Sequence, residues 1–317
     1  MNKEIIKQFR LLLKQIRIDI VTDTSKNNKK HTYRYNSIKR SLQIIEGFPD
    51  KIIDPEKQLK GYKYIGSGTM RRLKEIIKTG KLSEISNVGF MDELEKIFGI
   101  GKHMAYKLVS KYGITTIKEL KKQYKENIIS LPSAVIKGLK YYKQIQTKIK
   151  YDVMKQIDLY ISKAIKKIDG RAQVYMCGSY RRKNEYSSDI DILVVHPENT
   201  ITISKIVEHM KNDNFIIDSL TKDSVKTKYM GIITYQNILH RIDIRVVPFE
   251  SLYPALIYFT GSKNFNRKLR MIAISLGYTL NEYGLYDDKN KLIKTNSEKD
   301  IFDALELEYV APHLRLE

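Results

Sequence analysis

The chain has 317 residues, enough for several modules with their own cores, and its 57 Lys and Arg against 36 Asp and Glu leave a formal net charge of +21. Such an excess points to a polyanionic partner, nucleic acid first, while the abundance of Ile, Asn and Tyr also fits the Lys-rich bias of an AT-rich genome. One cysteine excludes an intrachain disulfide, and no apolar run reaches the roughly 20 residues of a membrane-spanning helix, so a soluble intracellular protein is expected.

The first half reads as helical and basic. Ile5, Ile6, Phe9, Leu12, Leu13 and Ile16 recur at helical spacing, and a polar stretch from Thr22 to Lys30 breaks the pattern. A second amphipathic segment runs through Ile38, Leu42, Ile45 and Phe48 and ends at Pro49. Two related units follow, IGSGTMRRLKEIIKTGKL (Ile65 to Leu82) and FGIGKHMAYKLVSKYGI (Phe98 to Ile114), each a helix, a glycine hairpin and a helix. Glycines at a helix N-terminus (Gly66 and Gly68, Gly99 and Gly101) let a phosphate approach backbone N–H groups that the helix dipole makes attractive to anions. One such turn is usually an ordinary connection. Two in a chain of this charge suggest binding of a nucleic-acid backbone without sequence readout.

The second half changes to an α+β pattern. A helix from about Lys150 to Asp169 precedes a strand (Gln173 to Cys177), in which Cys177 is expected to be a small buried side chain. A second strand lies in SSDIDILVVHP, a helix around Ile203 to Lys211, and two strands from Lys226 to Val247 joined near Gln236-Asn237. Helix resumes through YFTGSKNFNRKLRMIAISLGY, before a strand-rich tail and SEKDIFDALELEYV.

Residues two apart on a strand share a face, so Asp189 and Asp191 point together, as do Arg241, Asp243 and Arg245. If the strands are neighbours, three carboxylates converge. They would then repel one another unless a hard divalent cation compensates, which makes Mg²⁺ the natural occupant. Gly178-Ser179, followed by Tyr180-Arg181-Arg182, adds a small turn with a hydroxyl and two cations suited to phosphates. A lone D-x-D is most often a solvated strand face and a Gly-Ser a plain turn. The combination suggests metal-assisted phosphoryl transfer from a nucleotide.

GSYRR with SSDIDILVVHP, RIDIR, YFTGSKNFN, LNEYGL, SEKDIF and FGIGKHMAYKL resemble, in the same order, motifs of the family X DNA polymerases. The resemblance implies a multidomain fold of α and β parts: all-α helix-hairpin-helix N-terminal modules, an α+β nucleotidyltransferase palm and a small α/β C-terminal nucleotide-selection domain. The corresponding bounds are 1–86 (lyase-like, DNA-binding), 87–147 (helix-hairpin-helix), 148–249 (palm) and 250–317 (nucleotide selection). It implies a DNA-directed DNA polymerase that fills short gaps in base-excision-type repair. Asp189, Asp191 and Asp243 would be the catalytic metal ligands, holding two Mg²⁺ ions that Mn²⁺ can replace, with Na⁺ or K⁺ at the hairpin turns. Arg241 would orient Asp243.

The nucleotide would be bound by Ser179, Arg182, Ser188 (where relatives often have glycine) and Lys148 at the phosphates. Tyr258, Phe259 and Gly261 would pack on its sugar, with Asn266 and Arg270 on the minor-groove side of the nascent pair. Without the family, Tyr258 and Phe259 would read as core aromatics and Asn266 as a helix cap. Lys263 stands where a relative has an acidic residue.

The amino-terminal module departs from the pattern. Relatives with deoxyribose-phosphate lyase activity use a lysine as Schiff-base nucleophile, and ungapped matching of Gly66 and Thr79-Gly80-Lys81-Leu82 puts Arg72 there. A two-residue shift at Gly68-Thr69 brings Lys74 instead, and Lys60, Lys63 and Lys78 lie nearby, so a 5′-phosphate-binding module is the conservative reading. Expected partners are gapped or nicked double-stranded DNA, dNTPs and a DNA ligase, with no membrane; the protein is expected to be a monomer in the nucleus, or in a viral replication compartment or virion. No BRCT-like module is expected before the first helix, and recruitment would then use the visible domains. Alternatives are a template-independent or RNA-tailing nucleotidyltransferase and a non-catalytic DNA-end-binding protein.

Overall fold

In the computed structural model, which describes residues 2–22, 28–85, 88–221 and 226–315, the chain divides into two units, Met1–Leu139 and Lys140–Glu317. The helical stripe read from the sequence forms the first core: α1 (Lys3–Thr22) buries Ile5, Phe9, Leu12, Leu13 and Ile16 in one cluster with Ile38, Leu42 and Ile45 of α2 (Asn28–Gly47). α2 stops before Phe48-Pro49, because a proline ring disfavours helical backbone in the residue ahead of it. The expected polar break is shorter than 22–30, since Thr22 and Asn28 to Lys30 are helical; residues 23–27 lie outside the described residues.

Then come α3 (Pro55–Gln58), α4 (Ser67–Thr79), α5 (Val88–Glu95), α6 (Lys102–Ser110), α7 (Ile117–Lys125) and α8 (Ser133–Tyr141). The two hairpins share a backbone, but in a register other than G-x-G on G-x-G. Gly66 caps α4 at φ −91° and ψ −178°, and Gly101 caps α6 at φ −90° and ψ 174°. Two residues earlier, Tyr64 (φ 71°) matches Gly99 (φ 87°) in the left-handed region. The N–H groups of Ile65 and Ile100 each donate at 3.1 Å to a carbonyl three residues back, and Leu73 and Leu108 occupy the same buried place in the following helices. Gly68 is therefore inside α4 rather than in the turn. At Gly99 a Cβ would press on the Val135 backbone at 3.1 Å, whereas Gly66 and Gly101 face open space. A side chain at Tyr64's positive φ costs roughly 1–2 kcal/mol.

The second unit is built on a five-stranded sheet in the order β2-β4-β7-β6-β5. Its strands are β2 (Gln173–Met176), β4 (Ile190–Val195), β5 (Ile216–Ser219), β6 (Lys228–Tyr235) and β7 (Ile238–Val246); β1 (Ile149–Lys150) pairs separately with β3 (Tyr186–Ser187). Gln236 and Asn237, both at positive φ, close β6 on β7 in a two-residue loop whose twist suits a hairpin. Ile190, Ile192, Ile242 and Ile244 face a core shared with Ile157 and Ile161 of α9 (Tyr151–Ile168) and Ile206 and Met210 of α11 (Ile203–Asn212). On the opposite face Leu193 and Val195 lie under Leu252, Ala255 and Leu256 of α12 (Leu252–Thr260), together with the buried Cys177. Alternation puts Asp189 and Asp191 on that same face, beyond the covered end of β4.

α10 (Gly178–Arg181) links β2 to β3. After α12 follow α13 (Lys263–Ser275), an antiparallel three-stranded sheet of β8 (Thr279–Leu280), β9 (Leu285–Tyr286) and β10 (Leu292–Ile293), and α14 (Glu298–Ala304). Among the described residues no helix is long and apolar enough to cross a membrane.

Candidate active site

β4 and β7 are parallel neighbours, and their register sets Asp191 directly beside Asp243. Burial raises the Asp191 carboxyl to about 8, helped by repulsion from Asp189 and Asp243 and opposed by Arg241 and Arg182. Burial also raises Asp243 to about 6, against the attraction of Arg241. Asp243 Oδ1 is buried without a hydrogen-bond partner. Arg241 does not chiefly orient Asp243, as the sequence suggested: its Nη2 bonds Asp189, while its Nε lies 3.6 Å from Asp243 Oδ1. Among the described residues no three His, Cys, Asp or Glu side chains stand together as a ready ligand cluster.

The turn after β2 is fitted to Asp191. Gly178 takes φ 55°, and a Cβ on it would overlap the Asp191 carboxylate. The Cys177 N–H donates to Asp191 O at 2.8 Å, fixing the turn against β4. Ser179 Oγ donates to Ser187 Oγ at 2.8 Å, and Arg182 Nη1 donates to Thr260 O at 2.5 Å at the end of α12. Arg181, which the motif places with Arg182 in a phosphate grip, instead turns away: it donates to Thr260 Oγ1 at 2.7 Å and to both carboxylate oxygens of Glu298 at 2.9 and 2.8 Å.

Glu298 also accepts from Arg315 Nη1 at 2.9 Å. Burial alone would raise its carboxyl, but the bonds and charges of the two arginines hold it below the usual range. Arg315 is itself fully buried, its guanidinium 5.5–5.7 Å from the ring centres of Phe302, Phe265 and Tyr309. α10 is thereby tied to α12 and α14.

α12 and α13 supply the facing wall. They meet at the cis peptide Gly261–Ser262, and Ser262 caps α13 by accepting from Phe265 N at 3.3 Å. Asn266 is not that cap; its Nδ2 donates to Tyr258 O at 2.7 Å. Arg270 lies over the Tyr258 ring at 5.0 Å and Arg245 over the Phe259 ring at 5.1 Å. An open cleft of about 1070 Å³ brings together Lys148, Ser179, Arg182, Ser188, Asp189, Asp191, Tyr258, Phe259, Gly261, Asn266 and Arg270. The sequence did not single out Asn184, Tyr186, Asn264, Arg267, Met271 and Ile274, which line it too.

The DNA polymerase beta palm family matches residues 148–249 and the DNA polymerase beta thumb family residues 255–316. The chain belongs to the family X DNA polymerases. It is 30% identical to DNA polymerase lambda of Arabidopsis thaliana over 308 residues, covering 87% of this chain and 56% of that protein. To DNA polymerase lambda of Rattus norvegicus it is 24% identical over 272 residues, 78% of this chain and 46% of that one. The chain thus spans about half the length of these curated relatives. The solved structure of Leishmania infantum polymerase beta in a ternary P/T complex matches 73% of this chain and 100% of its own, at TM-score 0.65 and 28% identity.

Family X polymerases use divalent metal ions, and the residues here fit them. Two neighbouring buried carboxylates with raised proton affinity, one carrying a buried oxygen that no hydrogen bond satisfies, form a hard-oxygen donor set whose burial the nearby arginines do not fully offset. Both folded-state pKa values exceed that of an unfolded aspartate, so the stabilisation from the held protons is complete below about pH 4 and is lost as pH rises through about 6 and then about 8. The metal-free protein is expected to melt at falling temperature over that window. Mg²⁺ should raise the melting temperature more at about pH 8.5 than at about pH 5.5, where it must displace protons. An equal Mg²⁺ increment at both pH values would contradict this donor assignment.

Proposed function

We propose that the chain is a DNA-directed DNA polymerase that adds dNTPs to a primer 3′-hydroxyl by two-metal nucleotidyl transfer and fills short gaps in base-excision-type repair. The observation that carries the reading is the pairing of Asp191 with Asp243 at the uncovered end of β4, opening on a cleft walled by Ser179, Arg182, α12 and α13. Asp189, Asp191 and Asp243 would hold two Mg²⁺ ions, or Mn²⁺ in their place, and the chemistry supplied by such ions would be activation of the 3′-hydroxyl and neutralisation of charge on the triphosphate. Lys148, Ser179, Arg182 and Ser188 bind the triphosphate. Tyr258, Phe259 and Gly261 pack on the sugar, and Asn266 and Arg270 meet the minor-groove side of the new pair. Asn266 has the geometry for positioning as well, since its bond to Tyr258 O fixes the α12 end against α13.

The remaining parts follow the same reading. Residues 1–86 and 87–147 are DNA-binding modules whose hairpins offer Gly66 and Gly101 to phosphates, with Na⁺ or K⁺ at the turns; 148–249 is the palm and 250–317 selects the nucleotide. Partners are gapped or nicked DNA, dNTPs and a DNA ligase, for a monomer acting in the nucleus or a viral compartment. A primer-extension assay on gapped, nicked-flap and unprimed substrates, with each dNTP and NTP, tests the assignment. Gap-dependent dNTP addition is expected. Extension without template, or of RNA, favours a terminal-transferase or RNA-tailing enzyme, and binding without any extension a DNA-end-binding protein.

The lyase chemistry is proposed to be absent. The hairpin match of Gly66 with Gly101 supports the ungapped placement of Arg72, and Arg72 is engaged: its Nε and Nη2 both bond Glu84, which also accepts from Arg34 Nη2 at 2.7 Å. A guanidinium offers no amine for a Schiff base. Lys74 pairs instead with Glu56 at 2.7 Å on the surface. Borohydride trapping on incised abasic-site DNA should give little adduct. Efficient trapping that Lys74→Ala removes would show the shifted alignment to be right, and trapping that survives it would implicate Lys60 or Lys63.

A further inference from the structure

Tyr64 combines three properties that folding alone does not account for. It sits at φ 71° where the second hairpin uses glycine, its side chain stays 45% exposed, and two cations lie over its ring: Arg40 Cζ at 5.0 Å and Lys63 Nζ at 5.3 Å from the centroid. The unfavourable backbone is held in place from below. The fully buried Ser41 hydroxyl on α2 donates to Tyr64 O at 2.7 Å and lies 2.9 Å from Thr69 Oγ1 on α4. Ser41 thus links the turn to both helices, and Ile65 beside it is buried in the core. Strain kept at an exposed position by a buried tether marks a candidate for function.

The ring's setting indicates its partner. It stands two residues ahead of Gly66, whose Cα faces open space at the start of α4, and exposed Lys60 and Lys63 flank the turn. A half-exposed aromatic ring flanked by mobile cationic side chains, beside a positively charged backbone turn, suits a nucleobase whose own phosphate rests on that turn: the base takes a ring face and the cations move to the phosphodiester charge. The second hairpin cannot offer the same platform. Gly99 has no ring, and a side chain there would strike Val135.

We propose that Tyr64 is a stacking platform for an unpaired or strand-terminal nucleobase of gapped DNA, so that the first hairpin senses the edge of the gap while the second holds only backbone. This rests on the DNA-gap reading above. The base could belong to the 5′-terminal nucleotide of the downstream strand or to the template position in the gap.

The test uses the full chain and one-nucleotide-gapped duplexes carrying 2-aminopurine at either position, with wild type, Tyr64→Gly and Tyr64→Phe. Wild type and Tyr64→Phe should quench the fluorophore at one of the two positions, which identifies the base. Tyr64→Gly, free of the strain, should melt no lower than wild type yet bind gapped DNA about tenfold more weakly, the scale of one lost stacking contact, and lose the quenching. A folded Tyr64→Gly with wild-type affinity and quenching would overturn the platform while leaving the gap reading intact. If wild type itself showed no preference for gapped over intact duplex, the gap reading would fail and the platform with it. Equal quenching loss in Tyr64→Phe would assign the effect to the hydroxyl and also overturn stacking.

Discussion

Asp243→Ala is expected to lose nucleotide insertion by at least about 10³-fold at saturating Mg²⁺, the scale of removing several kcal/mol of transition-state stabilisation. Binding of gapped DNA should stay within a few-fold of wild type, because phosphate contacts remote from the carboxylates carry most of the affinity. Stability gives an independent readout. Burial raises the Asp243 carboxyl to about 6, so at pH 8 the metal-free fold carries an ionised group it would hold more readily protonated. Replacing it with alanine should leave the melting temperature of the metal-free protein unchanged or higher at pH 8, and should reduce the Mg²⁺-dependent increment. Relief of its repulsion should also let Asp191 ionise at lower pH. Robust insertion by the purified variant would remove Asp243 from the site, and a drop in melting temperature with insertion lost would turn the result into one about folding.

What the sequence could and could not disclose follows from the range of each interaction. β4 and β7 were legible because alternation is local: Ile190 and Ile192, like Ile242 and Ile244, declare a buried face, which leaves Asp191 and Asp243 on the other. The Gln236-Asn237 turn was legible because Asn tolerates positive φ and breaks the run of strand residues on either side, while the positive φ of Gln236 is not signalled by its residue type. β1 and β3, two residues each, have no period to read. The register between the two hairpins is not one that glycine spacing discloses. Glycine spacing pairs Gly68 with Gly101, but the backbone pairs Gly66 with Gly101 and lets Tyr64 stand in for Gly99, a substitution that sequence rules count against. The partner of Arg181 lies 117 residues on, at Glu298, and no local pattern predicts a bond across that separation. Arg241 was placed on the right face, yet its choice of Asp189 over Asp243 depends on side-chain geometry that alternation does not encode.

Gly178→Ala is expected to be the most damaging single-methyl change in the second unit. Two independent costs meet there: φ 55° disfavours any Cβ by roughly 1–2 kcal/mol, and the added carbon would overlap the carboxylate of Asp191. The backbone offers no relief, because Asp191 is fixed through its own carbonyl, which accepts from Cys177 N at 2.8 Å, and through its register beside Asp243. Either the carboxylate turns out of its place beside Asp243 or the turn that carries Ser179 and Arg182 shifts off it, and in both cases insertion should fall by at least about 10²-fold, the order expected when a reacting group is misplaced by about 1 Å. Gly277→Ala separates the two costs, because Gly277 has φ 81° with nothing within 4 Å of the added carbon. It should lose a similar increment of stability from backbone strain alone and keep its insertion rate. If the two variants lose stability equally and both insert nucleotides at the wild-type rate, the close packing of Gly178 on Asp191 has no bearing on the chemistry, and the turn is only a connection between β2 and β3.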